Sequence, residues 1–182
     1  SLVGLIPAGG GCKEMLWRWL QTPEGKENSE HASMKVFDLI GYAITATSPN
    51  EALPNQFFLE KDKVVINRDR QLSTAIDLLN NIEGGYEKPS QPKFNLGGSA
   101  VRDKMFEKLE ALYNENKILD HGLEVGKQIA FVLSGGNTNI DNELSEDDLY
   151  NLELEAFMRL IQMPKTQERI KHTLETGKPL VN

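Results

Sequence analysis

A proline and an alanine followed by three consecutive glycines, Pro7-Ala8-Gly9-Gly10-Gly11, run directly into the helix-like stretch Cys12-Lys13-Glu14-Met15-Leu16. Glycine loses more conformational freedom on folding than any other residue, so a run of three is expected where backbone must pass close to something else. The run ends at a helix start, where unpaired N–H groups and the positive end of the helix dipole favour an oxygen-bearing group. The feature therefore predicts a turn whose main chain lines a site. The alternative is tight packing of a helix start against a sheet.

The spacing excludes two familiar nucleotide patterns. A dinucleotide turn needs glycines at the first, third and sixth places before its helix, and a phosphate loop needs glycine-lysine followed by serine or threonine. Here Lys13 follows Cys12, with Glu14 after it. The net charge of −7 over 182 residues disfavours a polyanion or an anionic membrane surface as partner. Cys12 is the one cysteine, so no internal disulfide forms and nothing points to secretion. No apolar run reaches the length of a membrane span, and no signal peptide is visible. A cytoplasmic protein is expected. Ser1 leads straight into the apolar run Leu2-Val3-Gly4-Leu5-Ile6, which reads as a fragment of a longer chain.

Apolar periodicity predicts a mainly α protein with little strand. Residues 2–6 read as the end of a buried strand or an extended segment, 13–20 as a helix, 24–33 as a polar loop or weak helix, and 34–46 as a helix. Ser48-Pro49-Asn50-Glu51 carries a helix-start signature. Val64-Val65-Ile66 reads as a short strand, and 68–82 as a helix with Leu72, Ile76 and Leu79 aligned, ended by Gly84-Gly85. Residues 86–98, with two prolines and a glycine pair, read as a linker. Beyond it come three helical stretches. The first carries Val101, Met105, Leu109, Leu112 and Tyr113; the second is capped by Asp120 and closed by Gly135-Gly136; the third starts at Ser145 after an acidic loop over 137–144. A last helix opens at Pro164 and stops at Gly177. The division expected is 1–85, a linker over 86–98, and 99–182.

Few side chains suggest chemistry. His31, His121 and His172 lie far apart and none pairs with a Cys or His at ligand spacing, so no metal site is expected and surface or capping roles are. Asn139-Ile140-Asp141-Asn142-Glu143 lacks the glycine and distal glutamate of a calcium loop. Cys12 stands at a helix start but has no histidine partner in sequence and reads as a small buried residue. Lys165 to His172 is basic-leaning and reads either as a segment that touches phosphates or as a solvated helix face, which charge runs usually are. No catalytic side-chain set emerges.

Gly4-Leu5-Ile6-Pro7-Ala8-Gly9-Gly10-Gly11 resembles the Gly-x-Ile-Pro-Gly-x-Gly-Gly segment of the crotonase (enoyl-CoA hydratase/isomerase) superfamily, and Ala43 to Ala52 is similar to a helix that follows it there. The form Ile-Pro-Ala-Gly-Gly-Gly-x-Lys-Glu-Met looks like the bacterial members fused to a 3-hydroxyacyl-CoA dehydrogenase. So do three tail segments: Leu152-Glu153-x-Glu155-Ala156-Phe157, Lys165-Thr166-Gln167-Glu168-Arg169-Ile170 and Thr176-Gly177-Lys178-Pro179-Leu180-x-Asn182. The resemblance runs from end to end. It implies that 1–85 is the C-terminal helical cover of a crotonase-like module and 99–182 an added helical extension. It also implies acyl-CoA as substrate and NAD as cofactor of the parent chain, with no cofactor held by this stretch. The catalytic acids of such enzymes would lie upstream, so no catalytic residue is expected here. Ala8, Gly9 and Gly10 are implied as the substrate-facing main chain, with Ala8 standing where family hydratases carry glycine. Self-association, or docking to the rest of the parent, is the partner expectation. The other reading is a helical oligomerisation or docking module.

Overall fold

The computed structural model describes residues 2–82 and 86–182. The chain is mainly helical and divides into two compact units: one built from the residues up to Thr45 together with Pro92–Asn182, the other from Ala46–Gln91. These boundaries do not coincide with the division expected at 86–98.

In the first unit, α1 (Gly11–Leu20), α2 (Pro23–Glu27) and α3 (Ser29–Gly41) pack with α6 (Gly98–Asn114), α7 (Asp120–Leu133), α8 (Glu146–Ile161) and α9 (Pro164–Thr176). Leu16 of α1, Val36 of α3, Met105 of α6, Ile129 and Leu133 of α7 and Leu149 of α8 are fully or almost fully buried in one core. The helices on either side of the expected linker thus share a single apolar interior. The segment expected to be linker enters that interior as well. Its strand β1 (Lys93–Asn95) pairs antiparallel with β2 (Glu143–Ser145), Phe94 opposite Leu144. Phe94 and Leu96 are completely buried, and the Phe94 ring stands edge-on to Trp17 at 6.0 Å. The prolines and glycines before and after hid a strand only three residues long.

Helix starts follow local chemistry. Ser145 accepts a hydrogen bond from the Asp148 N–H while Asp148 accepts from the Ser145 N–H, a complete capping box. Pro164 opens α9 and Gly177 ends it in the left-handed region. Pro23 and residues 24–33 differ from expectation. Thr22 caps Pro23 as the first residue of α2, accepting from the Gly25 N–H, and Asn28 caps α3 in turn. Asp120 does not cap α7: Leu119 holds the cap position, and the Asp120 carboxylate accepts the Tyr113 hydroxyl at 2.7 Å. The segment 2–6 forms no strand, because Gly4 turns the chain with φ at +77° and no strand runs beside it among the described residues.

In the second unit, Ser48 caps α4 (Pro49–Ala52) as its signature predicts, and α5 spans Gln71–Asn80 after a 3-10 turn at Arg68–Arg70. Val64-Val65-Ile66 is not a strand; β-branched residues favour extension only where a neighbouring strand accepts them, and Ile66 is 98% exposed. Of the described residues in Ala46–Gln91, only Ala52 is buried. Gly84-Gly85, expected to end the helix, lies outside the described residues.

Candidate functional site

The glycine turn begins at a buried polar knot. The Thr166 hydroxyl donates to the Gly4 carbonyl at 3.1 Å and lies 2.9 Å from His121 Nε2. Past Ile6 the chain reverses tightly, the Ala8 N–H donating to the Ile6 carbonyl at 2.8 Å. The Cys12 N–H reaches back to the Pro7 carbonyl, and this brings Gly11 so close that a Cβ there would lie 2.7 Å from the Pro7 ring. Gly10, at the N-cap of α1, has φ of +103°, a conformation that side chains rarely adopt. The Tyr150 ring covers it, 3.0 Å from where its Cβ would be.

The anion that this helix start attracts belongs to the protein itself. Glu153, on α8, is 1% exposed. Its Oε2 accepts the Gly10 N–H at 2.5 Å and its Oε1 the Lys13 N–H at 2.7 Å. A carboxylate in that place satisfies donors that the first helical turn leaves open and lies at the positive end of the dipole. Burial pushes the Glu153 carboxyl up from its usual range; the Lys13 and Gly10 N–H groups and the Lys13 charge oppose that shift without cancelling it. Glu146, one turn before Tyr150 on the same face of α8, holds Lys13 Nζ at 2.6 Å, and that ammonium also lies 5.3 Å from the Tyr150 ring centre. Burial alone would lower the Lys13 pKa, but its bonds to Glu146 and Glu14 leave it raised.

The three implied contact residues are thus placed differently. Gly10 is buried and its N–H is committed to Glu153. The Ala8 N–H is committed to Ile6. Gly9 is exposed, has φ of +80° with open space where a side chain would be, and its N–H meets no acceptor among the described residues. Among the described residues the Gly11 N–H likewise meets no acceptor, while those of Ala8, Gly10, Cys12 and Lys13 are all engaged.

Other sequence candidates resolve into structure. Cys12 is completely buried, and burial, reinforced by the Glu153 charge, drives its thiol well above the ordinary value, which removes the thiolate needed for nucleophilic chemistry. His121 is buried, not superficial, and Arg169 leaves the supposed solvated face of α9 to donate to the Asn182 side chain at 2.8 Å. Among the described residues no three metal-ligating side chains cluster, and no helix is long and apolar enough to cross a membrane. The feature that sequence reasoning missed is Glu153. It lies within a tail motif, yet its partners are about 140 positions away in the chain.

Compared with known proteins, the chain is 32% identical over 183 aligned positions to the "Probable 3-hydroxyacyl-CoA dehydrogenase" of Bacillus subtilis (strain 168). The alignment takes in the whole of this chain and 23% of that protein's length. No family model matches the chain, and no solved structure matches it.

Proposed function

We propose that the chain is the C-terminal part of a fatty-acid β-oxidation enzyme whose longer chain joins 3-hydroxyacyl-CoA dehydrogenase to an enoyl-CoA hydratase or isomerase module. The observation that carries this reading is the similarity to a probable 3-hydroxyacyl-CoA dehydrogenase along the full length of the chain. The glycine turn is in keeping with it: Gly9 is exposed with open space beside it, and the main chain near Ala8 and Gly9 is the part that would face the reacting centre. Gly10 contributes by anchoring the turn, since its own N–H faces Glu153.

The chemistry of proton transfer belongs to carboxylates upstream of the residues present here. The NAD implied for the longer protein does not fit this turn: the place a phosphate would take at the helix start is filled by the Glu153 carboxylate. No step of the oxidation is assigned to these residues.

The isolated 182-residue chain is expected to show no enoyl-CoA hydration, while the longer protein shows both hydration and NAD-dependent oxidation of the 3-hydroxyacyl product. Robust turnover by the isolated chain, or a longer protein with neither activity, overturns the reading. A second role, docking or self-association, is favoured by the outward apolar stripe of α5, where Leu72 and Leu79 are 73% and 68% exposed. Light scattering tests it: a strictly monomeric chain at high concentration counts against self-association.

A further inference from the structure

We infer that the tail after α9 is a latched wall of an apolar cavity, and that this cavity takes an uncharged apolar molecule, a small hydrocarbon ring or chain, when the tail opens. The cavity lies within the first unit, between the end of α3, α6, the first half of α7 and the tail, and measures about 290 Å3. Phe37, Leu109, Ile118, Val125 and Ile129 line it. The charged side chains of its wall already have partners: Lys108 is held by Asp38, Lys117 by Glu115, and Arg169 by Asn182. The interior therefore selects by apolar contact and not by charge. An apolar cavity of about 150 Å3 takes up benzene, so this one has room for a larger ring or a short chain. Pro179, Leu180 and Val181 line one side, and Val181 is 74% exposed, so the tail stands between the cavity and solvent. Little apolar contact holds it there. In α9 itself only Thr166 and Arg169 are buried. Gly177 turns the chain with φ of +68°, and Asn182 fastens the far end. The Asn182 side chain accepts from Arg169 Nε at 2.8 Å and donates to the Lys165 carbonyl at 3.2 Å and the Glu168 carboxylate at 2.9 Å. The last two bonds are open to solvent, where water replaces a lost partner at small cost. A segment held by a few exposed hydrogen bonds opens at a far lower free energy than the core behind it.

The test is maleimide labelling of the 182-residue chain. Cys12, its one cysteine, is completely buried in the core and reports global opening. Val125→Cys places a second thiol of similar size in the cavity wall, at a side chain that is 2% exposed. Ile118→Cys, also in that wall, serves should Val125→Cys fail to fold. Adding Asn182→Ala removes the three side-chain bonds of the latch. It is expected to speed labelling of the wall thiol roughly 10-fold, with Cys12 labelling and the melting temperature little changed. Leu180→Gly thins the tail while leaving Asn182 in place, and is expected to act in the same direction. Toluene near saturation is expected to slow labelling of the wall thiol and to raise the melting temperature. Unchanged labelling in both folded tail variants overturns the latched wall. Equal acceleration at Cys12 overturns it as well, because the opening is then global. Toluene that fails to slow labelling overturns the apolar site.

Discussion

Glu153 and His121 show how single residues carry opposite electrostatic burdens in one fold. Glu153 is a buried carboxylate with two main-chain donors; removing it by Glu153→Ala would orphan both N–H groups. His121 is a buried imidazole beside a hydroxyl. Burial lowers its pKa from 6.5, the Arg169 and Lys165 charges lower it further, and Glu124 and Glu168 oppose them. The folded protein thus takes up this proton less readily than the unfolded chain. The stability His121 contributes is present above the ordinary histidine value of 6.5 and is lost as pH falls through the depressed folded value. Urea unfolding at a series of pH values below 6.5 should show a falling midpoint, and His121→Gln should flatten the histidine-linked part of the slope. An equally steep slope in the variant would show that other groups govern it.

At the scale of elements, local and distant causes separate cleanly. Ser145 with Asp148, Ser48 before Pro49, and Gly177 after α9 are all legible, because a cap depends on residues within one turn of each other. Strand β1 was not legible, because a three-residue strand exists only by virtue of its partner. Its weight in the fold is nonetheless large, since Phe94 is completely buried against Trp17. Phe94→Ala is expected to cost about 3–5 kcal/mol, read as a lowered urea midpoint. A loss within about 0.5 kcal/mol, typical of surface positions, would mean that the segment around β1 behaves as the linker its composition suggests. The apolar residues of α5 pose the reverse case: they align at helical spacing as expected, yet most of the stripe faces outward in its own unit.

For the whole molecule, the decisive fact is that α1 and α3 share a core with α7 and α8. A chain cut after residue 91 should therefore lack cooperative thermal unfolding, because α1 and α3 lose the partners that bury Leu16 and Val36. A sharp melting transition in that truncated chain would show that the early helices form a domain of their own. The sequence by itself determined the mainly helical class, most helix starts and stops, the burial of Cys12 and the location of the turn. Each of these depends on neighbours within a few positions or on apolar periodicity. Only the tertiary structure decided that the turn's helix start is filled by Glu153, that Gly9 is exposed while Gly10 is buried, and that 92–182 completes the core around 2–45. Those depend on which surfaces meet after the chain has closed, and a contact between residues 10 and 153 leaves no local trace at either end.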